Sequence, residues 1–283
     1  MSQRYFLSEA QVAGKLDNLP PLPVLATEIL SSFNEPDLDV DTLTRHISND
    51  QVLAARALRI ANSPFYGLSG KVTGISDAIV ILGFRAVRSL VLSAAMVDSV
   101  NRIGRDQGDP RVFWRHAVAV ALFARSLARF THENPDTAFT AGLLHDMGRV
   151  VLEASFPDHY RQVQVWLEHH DQSLREAERA VIGIDHARAG ELLAIKWGLP
   201  PAIAAAIGHH HAPTATQTAT LTDICHCADV LARALELDGR SRPLVPLVSN
   251  DAWERLNPDW TILGRLLQEV EADHEETCHA LIA

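Results

Sequence analysis

The stretch AGLLHDMG, residues 141–148, places the polar pair His145-Asp146 directly after an apolar run and between two glycines. Glycine lowers helix propensity, so Gly142 and Gly148 indicate that another part of the molecule approaches the backbone closely here. Adjacent residues of a helix project about 100° apart, yet an imidazole and a carboxylate can both reach one ion that lies between helices. We therefore predict that His145 and Asp146 lie at the centre of a site.

The sequence around this pair predicts an all-α fold. Apolar residues recur at helical spacing along most of the chain, and no segment shows the strict alternation of a half-buried strand. Residues 101–110, NRIGRDQGDP, are the clearest break in composition. We therefore expect a two-lobe helical bundle, with one lobe over residues 1–105 and a second over residues 106–283 that ends in a C-terminal helical extension.

Three local predictions accompany this pattern. Residues 135–156 are predicted to form one continuous helix with the His145-Asp146 pair near its middle. Asn49-Asp50 predicts a break in the helical stretch that begins at Asp41. Asp185 is a predicted N-cap, because its carboxylate can accept a hydrogen bond from the first turn of the helix that follows.

Composition and charge favour a soluble protein of the cytoplasm. The formal net charge of -10 and the absence of a basic block argue against nucleic acid as a partner. The three cysteines form no CxxC pair, which indicates reduced thiols. The N-terminus lacks the apolar core of a signal peptide, and no apolar run reaches the roughly 18 residues of a membrane span. We expect no membrane association.

Two further histidines lie within the apolar faces of predicted helices. His116 shares its face with Val120 and Phe123, and His186 shares its face with Leu193. The ring nitrogens of a histidine in such a face must be satisfied, so either residue alone is more often a hydrogen-bonded core histidine than a ligand.

The remaining candidates lie near the ends or borders of helices. His210 and His211 follow a predicted helix, where imidazoles also interact favourably with the helix dipole. On the helix predicted for residues 219–237, Asp229 lies at the border of the buried face. Asp223 lies nearly opposite that face and is expected to be solvated.

Together, these imidazoles and carboxylates come from several separate helices and could meet in the interior, where helix bundles build metal sites. A mixed set of this kind suits one or two first-row divalent ions such as Fe, Mn, Zn or Ni. Such an ion can polarise a phosphoryl oxygen and generate a hydroxide near neutral pH.

The order of these residues resembles the signature of the HD superfamily of metal-dependent phosphohydrolases. His116, His145, Asp146 and Asp229 match its four positions. The resemblance implies that these four residues bind a metal.

Three more residues resemble the extended ligand set of HD-GYP phosphodiesterases, namely His186, His210 and His211. The resemblance implies that these also bind metal. Two departures argue against cyclic di-GMP hydrolysis. The residues after His211 are APTAT, without a GYP-like segment, and Arg149 stands where those enzymes have a lysine.

The N-terminal half resembles the HDOD domain family. The matching motifs are LPPLP at residues 19–23, LRIANSPFYG at residues 58–67 and ISDAI at residues 75–79, and the resemblance runs from about residue 16 to residue 235. It implies an all-helical, two-lobe fold with an HD-like helical core in the C-terminal lobe. It also implies a role in bacterial signal transduction, usually without demonstrated catalytic activity.

Two functional hypotheses follow. The first is a regulatory protein that binds a signalling partner protein and carries a structural metal, and we favour it because of the N-terminal motifs and the missing GYP-like segment. The second is a metal-dependent phosphohydrolase acting on a nucleotide or cyclic dinucleotide, with Asp146 and Arg149 in catalytic roles. A DNA-binding regulator is a third alternative, against which the acidic charge argues.

Overall fold

The computed structural model describes residues 6–32, 40–63, 66, 72–104, 110–213, 220–237 and 245–282. Phe65, the predicted lobe boundary at residues 105 and 106, and residues 214–216 of the APTAT segment lie outside these ranges. Within them the chain is helical and contains no strand, which confirms the predicted all-α class. Among the described helices, none has the length and apolar character that crossing a bilayer requires.

Six helices form the N-terminal part: α1 (Glu9–Leu16), α2 (Val24–Ser31), α3 (Val40–Asn49), α4 (Gln51–Ala61), α5 (Ile75–Leu82) and α6 (Phe84–Ile103). The helices that follow are α7 (Arg111–Leu127), α8 (Pro135–Leu144), α9 (Met147–Ser155), α10 (Pro157–His169), α11 (Leu174–Val181), α12 (His186–Lys196), α13 (Pro201–His209), α14 (Leu221–Ala234), α15 (Asn250–Leu256) and α16 (Trp260–Ile282). A short 3₁₀ turn, Ala128–Phe130, follows α7.

Helix α7 lies at the centre of the core. It packs against α8, α14 and α16, and nearly all of its residues from Trp114 to Leu127 are buried. The contact with α8 is close because Gly142 has no side chain: a Cβ at this position would lie 2.8 Å from the backbone oxygen of Val120. This small-residue contact brings the end of α8, and therefore His145, against the face of α7 that carries His116.

The predicted continuous helix over residues 135–156 is wrong, because the chain turns at His145 and Asp146. Helix α8 ends at Leu144, Asp146 has φ −98° and ψ 7°, and α9 begins at Met147. Because of this turn, α8 packs against α7, whereas α9 packs against α12. At that contact a Cβ on Gly148 would lie 2.0 Å from the backbone oxygen of His186. Both glycines of the AGLLHDMG stretch therefore allow close backbone approaches, as predicted.

Local capping explains other boundaries. Asp50 caps α4 by accepting a hydrogen bond from Leu53 N–H, which confirms the predicted break after Asn49. Asp185 caps α12 through Arg188 N–H, also as predicted. Helices α1 and α15 were not predicted from the sequence. Helix α1 is held against α12 by a bidentate ion pair between Glu9 and Arg188, with both N–O distances 2.9 Å.

The prediction that Asp223 is solvated is wrong. Its side chain is 1% exposed and forms a capping box with Thr220 at the start of α14. Arg255 of α15 pairs with both of its oxygens, at 2.5 and 3.2 Å. The face opposite the core is therefore covered by α15, a helix that the periodicity of α14 alone does not reveal.

Candidate metal centre

The structure brings all seven predicted ligands into one cluster, in which six are buried and His211 is half-buried. Helix α7 supplies His116, the turn between α8 and α9 supplies His145 and Asp146, and α14 supplies Asp229. The first residue of α12 is His186, and the chain just beyond α13 supplies His210 and His211. Three overlapping groups each have ligand atoms within 4.8 Å of one another: His116, His145 and Asp146; His145, His210 and Asp229; and Asp146, His186, His210 and His211. That these residues bind a metal stays a prediction.

Asp146 belongs to two of these groups and lies close to three imidazoles. Its Oδ1 atom lies 3.2 Å from His186 Nε2, 3.5 Å from His145 Nε2 and 3.6 Å from His210 Nε2. The backbone angles of Asp146 lie in the bridge region, between those of helix and strand. Its side chain makes no capping hydrogen bond to the start of α9, and its carboxylate faces the imidazoles instead.

The opposite side of the cluster is organised by Asp229. Its Oδ1 atom lies 2.9 Å from His116 Nε2 and 3.8 Å from His145 Nε2. The same oxygen accepts a hydrogen bond from Arg233 Nε at 2.9 Å, and Arg233 also places a guanidinium nitrogen 3.7 Å from Asp146 Oδ2. One arginine therefore contacts both carboxylates.

Several of these atoms are buried without the hydrogen bonds that buried polar groups require. Within the described part of the chain, His116 Nε2, His145 Nε2, His210 Nε2 and Asp146 Oδ1 have no hydrogen-bond partner. His116 is close to Asp229, but the two atoms do not have the angles of a hydrogen bond. Such atoms cost free energy when left alone. Imidazole nitrogens and a carboxylate oxygen that face one another at 3–4 Å are the donor set of a divalent cation.

The carboxylates of the cluster are ionised. Burial acts to raise the pKa of Asp146, but the imidazoles of His145 and His186 hold it well below its usual range. Burial likewise opposes the ionisation of Asp229, whose pKa is held well below its usual range by Arg233 and His116. The cluster therefore offers negative charge to a cation in spite of its burial.

The imidazoles differ from one another. Burial lowers the pKa of His145 to about 4, and burial together with its histidine neighbours lowers that of His211. Burial also acts to lower the pKa of His186, but Glu178 and Asp146 outweigh it and raise the value to about 10. Neutral imidazoles such as His145 have a lone pair for a metal.

Two neighbours of the cluster were missed from the sequence. Arg233 lies four residues after Asp229 on α14, a spacing that could have indicated a pair on one helix face. Glu178 of α11 contacts His186 from outside the cluster, and nothing in its local sequence distinguishes it from a surface glutamate. The guanidinium of Arg149 lies beside Tyr160, on the side of α9 that faces α10.

The sequence of this chain matches a known domain family. The HDOD domain matches residues 19–213, which is more than half of the chain. The chain belongs to the HDOD domain family. The matched range of this HDOD protein holds six of the seven cluster residues, and Asp229 follows it on α14.

Two solved structures and one further sequence are similar to this HDOD protein. An HDOD domain protein from Geobacter sulfurreducens is 25% identical, with a TM-score of 0.82 and coverage of 96% of this chain and 98% of that chain. A protein of Shewanella amazonensis SB2B, provisionally described as a phosphohydrolase, is 26% identical, with a TM-score of 0.75 and coverage of 95% and 97%. An uncharacterised protein of Treponema pallidum (strain Nichols) is 27% identical over 205 residues, which are 71% of this chain and 39% of the Treponema protein.

Proposed function

We propose that this HDOD protein is a regulatory component of bacterial signal transduction that binds a first-row divalent metal in the cluster. The observation that carries the proposal is the set of buried atoms without hydrogen bonds, His145 Nε2, His210 Nε2 and Asp146 Oδ1, which face one another across 3.5 to 3.6 Å. Each would cost about 1–3 kcal/mol if it stayed unsatisfied. A cation among them removes that cost.

The donor atoms suit one or two ions. The group of His116, His145 and Asp146 suits a first ion, with Asp229 beside His116 and His145. The group of Asp146, His186, His210 and His211 suits a second ion, so that Asp146 is common to both. Imidazoles with carboxylates and no thiolate favour Fe, Mn, Zn or Ni over Ca or the thiophilic metals.

The burial of these residues supports a regulatory role over a catalytic one. The side chains of His145, Asp146 and His210 are 0–3% exposed. Structural metal sites are closed in this way, whereas catalytic sites keep a coordination position open to water and substrate. A partner protein that contacts the helices around a closed site can respond to whether the site contains a metal ion. We expect a signalling protein as the partner, and neither a membrane nor a nucleic acid.

A second candidate is a metal-dependent phosphohydrolase that acts on a nucleotide or cyclic dinucleotide. Two observations favour it: the provisional description of the Shewanella protein, and the guanidinium of Arg233 beside both carboxylates. A bound metal would supply a Lewis acid and an activated water. In this alternative Asp146 holds the ion, and Arg233 or Arg149 contacts a phosphoryl oxygen.

Metal analysis of protein purified without added ions tests the proposal. We expect about one or two first-row ions per chain in the wild type and far fewer in His145→Ala and His210→Ala. The matched control is His209→Ala, because His209 is adjacent in sequence but half exposed and outside the cluster. A wild-type content far below one ion per chain, unchanged by His145→Ala, would contradict the proposal.

A hydrolase assay separates the two candidates. Phosphomonoesters and cyclic dinucleotides are offered to the protein with Mn²⁺ or Fe²⁺. The regulatory proposal predicts no turnover above that of Asp146→Ala. Turnover that is lost in Asp146→Ala and retained in His209→Ala would establish the second candidate instead.

A further inference from the structure

We propose that Glu178 is a positioning residue that orients His186 as a metal ligand and strengthens its binding. The inference rests on the metal-binding function proposed above. Glu178 lies on α11 and is 0% exposed, among the apolar side chains that α10, α11 and α12 bring together. Burial of a carboxylate among apolar side chains costs free energy unless its oxygens accept hydrogen bonds.

Two of the hydrogen bonds that the Glu178 side chain accepts come from one histidine. Its Oε2 atom accepts hydrogen bonds from the backbone N–H of His186 at 2.8 Å and from His186 Nδ1 at 2.5 Å. Its Oε1 atom accepts a hydrogen bond from the hydroxyl of Tyr160 at 3.4 Å. A carboxylate can only accept, so Nδ1 of His186 carries a proton.

The proton on Nδ1 determines what His186 offers to the cluster. The opposite ring nitrogen, Nε2, lies 3.2 Å from Asp146 Oδ1 and 2.7 Å from His211 Nε2. The ring cannot rotate away without breaking its bond to Glu178. His186 is therefore held with Nε2 directed at the position where Asp146, His210 and His211 also place their ligand atoms.

The other buried imidazoles have weaker supports. Nδ1 of His145 faces the backbone oxygen of Gly142 at 2.7 Å, and Nδ1 of His210 faces that of Ile207 at 2.8 Å. These neutral acceptors fix the rings as well, but a charged carboxylate also makes the imidazole a more basic ligand. Loss of the charge at Glu178 should therefore weaken metal binding even when the ring stays in place.

A purely structural role for Glu178 makes a different prediction. His186 is the first residue of α12, where a backbone N–H has no acceptor within the helix. If Glu178 served only to complete this helix end, its substitution would lower stability and leave the metal affinity of the folded protein unchanged. Metal affinity and the stability of the metal-free protein must therefore be measured separately.

The experiment uses the full chain, stripped of metal, as wild type, Glu178→Gln and Glu176→Gln. Glutamine at position 178 keeps the size of the side chain and an oxygen that can accept from His186, but removes the charge. Glu176 lies on the same helix, is exposed and forms a capping box with Ser173 that glutamine also supports. The readouts are the Zn²⁺ dissociation constant by competition with a chromogenic chelator, the Co²⁺ absorption spectrum and the Tm of the metal-free protein.

We expect Glu178→Gln to weaken Zn²⁺ binding by roughly 10- to 100-fold and to shift the Co²⁺ spectrum, with Glu176→Gln unchanged in both. If Glu178→Gln does not fold, Glu178→Asp, which keeps the charge but shortens the side chain, should weaken Zn²⁺ binding in the same direction. A folded variant at position 178 that lowers Tm but binds Zn²⁺ like the wild type would overturn this inference and leave the proposed function intact. A wild type that binds no Zn²⁺ would overturn both.

Discussion

His226 hydrogen-bonds the backbone oxygen of His210 at 2.7 Å through Nδ1. Its other ring nitrogen, Nε2, accepts a hydrogen bond from Ser249 N–H at 2.8 Å. Since a backbone N–H can only donate, Nε2 is unprotonated and Nδ1 carries the proton. One neutral imidazole thus joins the segment that bears two cluster residues to the N-cap of α15, a part of the chain that lies beyond the region matched by the family.

We predict that His226→Ala loosens the C-terminal segment. The substitution removes the partners of the His210 oxygen and of Ser249 N–H, which should lower the free energy of unfolding by about 1–3 kcal/mol. Hydrogen exchange should show faster exchange at the start of α15. His209→Ala serves as the control, and slow exchange in both variants would contradict the link.

Gly148→Ala should be strongly destabilising. A Cβ at this position would lie 2.0 Å from the His186 oxygen and 2.3 Å from Gly190 N, so α9 and α12 would have to move apart. We expect a loss of about 3 kcal/mol by urea denaturation. The matched substitution is Gly264→Ala on the exposed face of α16, where a Cβ meets nothing within 4 Å, and it should stabilise by about 0.5–1 kcal/mol. Equal effects would show that the close α9–α12 contact is absent.

Arg255→Met should destabilise the protein because it leaves the buried carboxylate of Asp223 without its charged partner. The side chains of the pair are 1% and 10% exposed, and we expect a loss of about 3 kcal/mol in urea denaturation. The control is Arg161→Met, which breaks the ion pair between Arg161 and Asp158; these two side chains are 76% and 78% exposed. This substitution should change stability by less than about 1 kcal/mol. A small effect at Arg255 would mean that α15 does not cover Asp223 in solution.

His274 should make the fold less stable in mild acid. Burial lowers its pKa from the ordinary 6.5, although its bond to the backbone oxygen of Arg115 opposes the shift. Below about pH 6.5 the unfolded chain takes up a proton that the folded chain does not, so the free energy of unfolding falls as the pH drops toward the folded pKa. Above about pH 6.5, His274 is unprotonated in both the folded and the unfolded chain, so it does not make the free energy of unfolding depend on pH.

The check is urea denaturation of wild type and His274→Gln between about pH 5 and pH 8. Glutamine can still donate to the Arg115 oxygen but does not titrate, so the variant should lose less stability on acidification. Parallel curves for the two proteins would exclude His274 as the source.

Local signals in the sequence predicted much of this fold. The helix predicted just before His210 and His211 is α13, which runs from Pro201 to His209; prolines mark its start and the apolar spacing sets its length. Asp50 and Asp185 are N-caps, whose hydrogen bonds involve residues only three positions away. Features that depend only on residues a few positions apart in the sequence can be predicted without knowledge of tertiary structure.

What the sequence did not predict depends on contacts between distant segments. The break at His145-Asp146 arises because α8 packs on α7 whereas α9 packs on α12. Asp223 is buried by Arg255, which is 32 residues away. At the candidate site, the seven predicted residues do meet, but Glu178 was missed because its role depends on the packing of α11 against the start of α12.

Anomalous X-ray diffraction from crystals of the metal-loaded protein, recorded at the absorption edge of the added ion, tests the central claim most directly. The account predicts one or two peaks inside the cluster, with imidazole nitrogens of His145 or His210 at about 2.0–2.2 Å and Asp146 at a similar distance. Peaks confined to exposed histidines such as His169 or His170, or no peak in protein that has been given Zn²⁺ or Mn²⁺, would contradict it.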